Sequence, residues 1–193
     1  DNIRTHFGKP VVVAINRFPT DTDAEIAHLR ALMESHNVPI ALSTVFAEGG
    51  KGGVELAQKV LELCEKPLEP LKFVYDLDMS VKDKITAIAT KIYRADGVSF
   101  TKAALKDIER AEQLGYGAAP VCMAKTQYSF SDQQNLINAP TGLEITVRNV
   151  RISAGAGFLV ALTGEIMTMP GLPKVPAACN IDVDENGSIS GLF

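Results

Sequence analysis

The chain has 193 residues, 46% hydrophobic and 22% charged, enough to bury a core in one or two domains. A net charge of −4 and a pI near 5.4, with no Lys/Arg-rich run, argue against a nucleic-acid partner or an anionic membrane surface and favour small-molecule partners. No apolar run is long enough to span a bilayer, and DNIRTHFGKP has neither the charged nor the apolar region of a signal peptide, so a cytoplasmic location is expected.

Asp1 to Lys9 reads as the end of a helix closed by Gly8 and followed by Pro10, so the sequence is expected to open within a structure. The five apolar residues from Val11 to Ile15, three of them Val, predict a strand buried on both faces, as in a parallel sheet. Asn16 ends it, and Arg17, Phe18, Pro19, Thr20 and Asp21 follow at its C-terminal end, where ligands sit in open α/β sheets. An Asn amide offers a donor and an acceptor to a heterocycle edge, and the Asp21 carboxylate could accept from an exocyclic amine. Both residue types are also ordinary turn formers and caps.

Thr22 or Asp23 caps a helix whose apolar positions Ile26, Leu29, Leu32 and Met33 recur at helical spacing until Asn37 and Pro39 stop it. A second buried strand, Ile40 to Val45, leads to Phe46, then to AEGGKGG and a helix from Val54 to Glu65. This is a βαβα unit, for which a right-handed crossover and parallel strands are expected. Strands this apolar need helices on both faces and strand neighbours on both sides, and the first 66 residues do not supply them. The phosphate-binding pattern GxxxxGK[ST] is also absent. GGKGG is the nearest candidate, but it lacks a hydroxyl residue after Lys51 to hold Mg²⁺ and otherwise reads as a flexible loop that lets backbone approach a ligand.

Pro67 and Pro70 mark a linker, and a domain boundary is expected there, dividing 1–66 from 67–193. Lys72 to Leu77 is a candidate short strand. Ser80 caps an amphipathic helix with Ile85, Ile88, Ala89 and Ile92 on one face and Gly97 as its stop. Thr101 caps another, with Ala104, Leu105, Ile108, Ala111 and Leu114 inside and Gly115 past its end. Pro120 to Ala124 is a buried strand running into KTQYSFSD. Three β segments close the chain, namely Leu143 to Ser153, Phe158 to Thr163, and Ile181 to Ile189 with an Asn186-Gly187 turn, so this half reads as α+β.

Cys64, Cys122 and Cys179 have no metal or redox spacing and read as reduced structural thiols. His28 and His36 have no ligand partners in the pattern, and no metal site is expected. Asp182, Asp184, Asn186 and Gly187 match half of an EF-hand loop, but its twelfth position is Phe193, so a β-turn is the better reading. The three histidines lie within the first 36 residues and none sits beside a nucleophile, so hydrolase chemistry has no residues to run on. Phe18 and Phe46 each follow one of two parallel strands, where they either hold a flat heterocycle between them or pack on each other.

The segments AINRFPTDT, VFAEGGKGG, PVCMAKTQYSFSD and TGEIMTMPGLPKVPAACNID, in that order, resemble the C-terminal portion of formate–tetrahydrofolate ligases of the bacterial single-function form. The resemblance spans the chain. It implies part of a P-loop-NTPase-like parallel sheet followed by a smaller α+β domain, in an enzyme that makes formyl phosphate from ATP and formate and passes the formyl group to tetrahydrofolate. It places Asn16 and Pro19 at the adenine end of the nucleotide site, and Phe18 and Phe46 around the pterin ring with Leu42 on the pocket wall. The family often carries Trp where this chain has Phe46, which implies a smaller stacking face. ATP with Mg²⁺ and tetrahydrofolate are implied as substrates, with no cofactor held tightly by this chain. The P-loop is implied to lie upstream, in a missing N-terminal portion of the same enzyme, and the assembly to be a homotetramer. KTQYSFSD and MPGLPK take no role beyond structural loops or subunit contacts.

Overall fold

The computed structural model describes residues 1–67, 69–164, 166 and 174–191. Helix α1 (Asn2–His6) is capped by Phe7, and Gly8 follows at a φ of +64°. Strand β1 (Val13–Asn16) pairs in parallel with β2 (Ile40–Ser43), Asn16 lying opposite Ser43. Between them runs α2 (Asp23–Ser35), opened by a capping box in which Thr22 accepts from the Glu25 amide while Glu25 accepts from the Thr22 amide. Asn37, at φ +51°, ends this passage. Ile15, Ile26 and Ile40 form its small core, with Val13, Met33 and Leu42 packed against it.

Three expectations change here. Strand β1 is not buried on both faces, because Ala14 and Asn16 are exposed and only Ile15 is buried. The second strand stops at Ser43, and Phe46 lies on a four-residue helix, α3 (Val45–Glu48). GGKGG is an ordered 3₁₀ turn (Gly49–Gly53) folded back onto Thr44 rather than an open loop. Helix α4 (Val54–Cys64) then returns along β2. Its Glu55 carboxylate accepts from the Leu42 amide at 3.2 Å and pairs with Arg30 of α2 at 3.4 Å. A side chain thereby occupies the outer edge of β2, where a further strand would otherwise pair.

Residues 72–77 form turns and coil, not a strand. The Tyr75 hydroxyl accepts from the Val121 amide at 2.9 Å and donates to the Val121 carbonyl at 3.4 Å, so a side chain occupies the edge that a strand would use. Ser80 caps α5 (Val81–Lys91), which ends before Arg94 at φ +59°. Gly97 is therefore not its stop but the first residue of β3 (Gly97–Phe100), a strand absent from the sequence reading. Thr101 caps α6 (Lys102–Gln113). Strands β4 (Val121–Ala124), β5 (Glu144–Ser153) and β6 (Phe158–Thr163) complete a sheet of order β3-β5-β6-β4.

In that sheet β3 runs parallel to the first four residues of β5, while β6 runs antiparallel to the rest of β5 and parallel to β4. A register shift between Val147 and Asn149 separates the two uses of β5, and Val147 alone pairs on both sides. Val81, Ile85, Ala104 and Ile108 of the helices pack on Val147, Val150, Leu159 and Ala161 of the sheet. Lys84 is fully buried there, its ammonium donating to the carbonyls of Gly117 (2.8 Å) and Ala119 (3.1 Å). A short hairpin of β7 (Asp182–Val183) and β8 (Ile189–Ser190) turns at Gly187, with the Asp184 carboxylate accepting from the amides of Asn186 and Ser188.

The molecule is thus mixed α/β with mostly parallel strand pairing. All three cysteines are free and exposed. Helix α1 and its C-cap tie the two halves, since Asn2 donates to the Ile92 carbonyl and the Lys72 amide donates to the Phe7 carbonyl. The KTQYSFSD turn is held from within and from without: Lys125 donates to the carbonyls of Thr126 and Ser129 and lies 4.8 Å from the Tyr93 ring centre, while Asp132 accepts from the Thr146 amide of β5 at 2.9 Å. Residues 167–173 of MTMPGLPK, and Phe193, lie outside the described residues.

Candidate functional site

The C-terminal ends of β1 and β2 form one ledge, because the strands are parallel and end in register at Asn16 and Ser43. The Arg17 amide still donates to the Ser43 carbonyl at 3.0 Å, extending the pairing one residue into the loop. Beyond it Phe18 and Asp21 close a tight turn: the Phe18 amide donates to Asp21 Oδ2 at 2.7 Å and the Asp21 amide to the Phe18 carbonyl at 3.0 Å. The Asp21 carboxylate is therefore engaged in shaping the turn that presents Phe18, in place of the free acceptor suggested by the sequence. Asp23 adds an exposed ion pair to Arg17 at 2.9 Å.

Phe18 is 60% exposed and Phe46 89% exposed. Among the described residues the paired rings are Tyr93 and Phe130, so Phe18 and Phe46 do not stack on each other, and packing in a core is not what holds them. Two large apolar faces left in water at one ledge are the unusual feature of this region. Pro19 is exposed beside Phe18, and Leu42 is half-buried in β2. Asn16 is exposed with no side-chain hydrogen bond among the described residues, and it lines a groove of about 780 Å³ between β1 and α2, floored by Ile15, Ile26, Met33 and Ile40. Phe18, Pro19, Leu42 and Phe46 do not line that groove. The structure therefore gathers the five residues at one end of one strand pair without enclosing them in a single cavity.

Two supports escaped the sequence reading. Glu55 fixes Leu42 through its backbone. Burial raises the carboxyl's pKa, but the bonds from Leu42 and Arg30, with the charges of Arg30 and Lys59, outweigh it and hold Glu55 below the usual glutamate range. Its only sequence signal is an acidic residue in the first turn of α4, which ordinarily reads as a helix-dipole partner. The second is α3 itself, too short to leave a periodic pattern. Among the described residues no group of three or more His, Cys, Asp or Glu is placed to hold a metal ion.

Fold and ledge define an α/β protein that presents exposed aromatic faces and an exposed Asn amide at the C-terminal end of parallel strands. The family model for formate–tetrahydrofolate ligase matches residues 1–193, and the chain belongs to that family. It is 58% identical over 192 residues to a protein named formate–tetrahydrofolate ligase from Symbiobacterium thermophilum, a match that covers 100% of this chain and 34% of that protein. The chain thus spans about a third of that relative's length.

Proposed function

We propose that this chain is the C-terminal, folate- and adenine-facing portion of an ATP-dependent ligase that joins formate to tetrahydrofolate through formyl phosphate, giving 10-formyltetrahydrofolate. In this reading Phe18 and Phe46 take the pterin between their faces, Leu42 walls the pocket, and Asn16 with Pro19 meets the adenine. The observation that carries it is two exposed rings and an exposed Asn amide on one ledge, in a chain whose whole length matches the ligase family. Pterins and adenines are flat heterocycles with polar edges, and such a ledge suits them.

The sequence contains no GxxxxGK[ST], so the phosphates and Mg²⁺ of ATP are assigned to an upstream portion that completes a P-loop-type sheet with residues 1–66. Residues 67–193 form the smaller α+β domain. No catalytic residue is assigned to this chain. The whole ligase is proposed to be a cytoplasmic homotetramer.

The purified 193-residue chain is expected to produce neither formyl phosphate nor 10-formyltetrahydrofolate, and the full-length ligase to produce both. Turnover by the chain alone, with its mass confirmed, would refute the division of labour. The missing phosphate-binding pattern favours one second reading, a non-catalytic folate- or nucleotide-binding module. It would be supported if the full-length protein bound tetrahydrofolate without ATP-dependent turnover.

A further inference from the structure

Resting on the folate reading above, we propose that Thr44, Glu48 and Gly52 form a lock that positions the Phe46 ring for the pterin. Phe46 is 89% exposed, so packing does little to fix its direction. A helix of four residues is not stable by itself either, since nucleation costs more than so few hydrogen bonds return. The orientation of the ring must come from what holds the turn that carries it.

Thr44 precedes α3 but spends its hydroxyl on no helix amide. Instead Oγ1 donates to Glu48 Oε2 at 2.6 Å, spanning the turn from its first residue to its last. The Thr44 amide donates to the Gly52 carbonyl at 3.1 Å, which pins the returning 3₁₀ turn against the start of α3. The reversal between them is made at Gly49, φ +61°. The approach at Gly52 admits no side chain: a Cβ there would stand 2.5 Å from both the carbonyl carbon and Oγ1 of Thr44, and 2.7 Å from its carbonyl oxygen. A hydroxyl, a carboxylate and a bare glycine thus fasten both ends of the segment bearing Phe46. A ring held before the ligand arrives loses less freedom when it binds. These three residues touch no substrate in this reading and are positioning residues.

The sequence has no Trp, so Phe46→Trp introduces a single indole whose motion can be read directly. In the 193-residue chain carrying Phe46→Trp, Thr44→Val is expected to lower the residual fluorescence anisotropy of that indole, and Thr44→Ser, which keeps the hydroxyl, to retain it. Unchanged anisotropy with Thr44→Val overturns the lock. Gly52→Ala should act in the same direction, and if that variant does not fold, the Val and Ser pair at Thr44 still decides.

In the full-length ligase, Thr44→Val should raise the tetrahydrofolate KM about three- to tenfold, a range set by the net worth of one typical intramolecular hydrogen bond. The kcat of formyl phosphate formation should not move, and Thr44→Ser should restore the KM. If Phe46→Ala raises the KM and Thr44→Val does not, the lock is refuted and the folate reading stands. A KM indifferent to Phe46→Ala itself overturns the folate reading, and the function of the lock with it.

Discussion

Replacing Phe18 or Phe46 by alanine in the full-length ligase separates binding from stability unusually well. Because Phe46 is 89% and Phe18 60% exposed, and neither ring pairs with another among the described residues, truncation removes little buried surface. The unfolding free energy should change by no more than about 0.5 kcal/mol, as for other exposed positions. Stacking one aromatic face on a heterocycle contributes on the order of 1 kcal/mol, and each lost face should raise the tetrahydrofolate KM by about five- to tenfold. If the two faces act independently, the double variant should multiply these effects, to roughly thirtyfold or more. Formyl phosphate formation, followed as formate-dependent ATP turnover without folate, should stay at the wild-type rate. Steady-state assays at varied tetrahydrofolate, beside urea unfolding of each variant, give all three quantities. A wild-type folate KM in both single variants would refute the clamp, and a KM change accompanied by a large loss of stability would assign the rings to the structure instead.

If Asn16 meets the adenine edge as proposed, Asn16→Ala should cost about 1 to 3 kcal/mol in ATP binding and relax discrimination against GTP; unchanged ATP KM and base selectivity would return Asn16 to turn formation. The depressed Glu55 carboxyl contributes stability that is complete above its ordinary pKa of 4.5 and is lost as pH falls through its lower folded value. Glu25, lowered by its bonds from Thr22, acts in the same sense. Urea midpoints between about pH 6 and about pH 3 should therefore fall less steeply in a Glu25→Gln, Glu55→Gln double variant than in the parent; an identical slope would refute the assignment. Burial lowers the Lys84 pKa, with Asp78 opposing, yet its ammonium serves two carbonyls. Lys84→Met should destabilise by about 1 to 3 kcal/mol in urea unfolding, and a gain in stability would mean that desolvating the charge outweighs both bonds.

What could be read from the sequence was what depends on neighbours in the chain. Thr22, Ser80 and Thr101 cap helices because each hydroxyl meets an amide three residues on, and the alternation from Leu143 to Ser153 marks β5 because the sheet buries one face of it. Asn186-Gly187 likewise marks a hairpin with Gly187 at positive φ. What could not be read depends on partners far along the chain. Tyr75 closes the edge of β4 from 46 residues away, turning an apparent strand into coil. Strand β3 was hidden because Gly97 looks like a helix stop, whereas its pairing with Glu144 makes it a strand residue. At the ledge, the identities of Asn16, Phe18 and Phe46 were legible, but the means of presenting them, the Asp21 turn and α3, were not.

The divided pairing of β5 has a mechanical consequence. Since β3 and β6 overlap along it only at Val147, the four-stranded sheet is a lap joint of two ribbons rather than one plate. Hydrogen bonds resist sliding in proportion to the length over which strands are paired, and here the shared length is a single residue. Stiffness across the joint must come from outside the ladder, and α6 is placed to provide it. Its cap Thr101 donates from its amide to Val147 and from its hydroxyl to Arg148, while Asp107 accepts from the amide of Val150 and the side chain of Asn149, so one helix and its cap grip β5 at the overlap and over the three residues that follow it. Loosening that helix would let the β3 ribbon shear against the β4–β6 ribbon with neither ribbon unfolding.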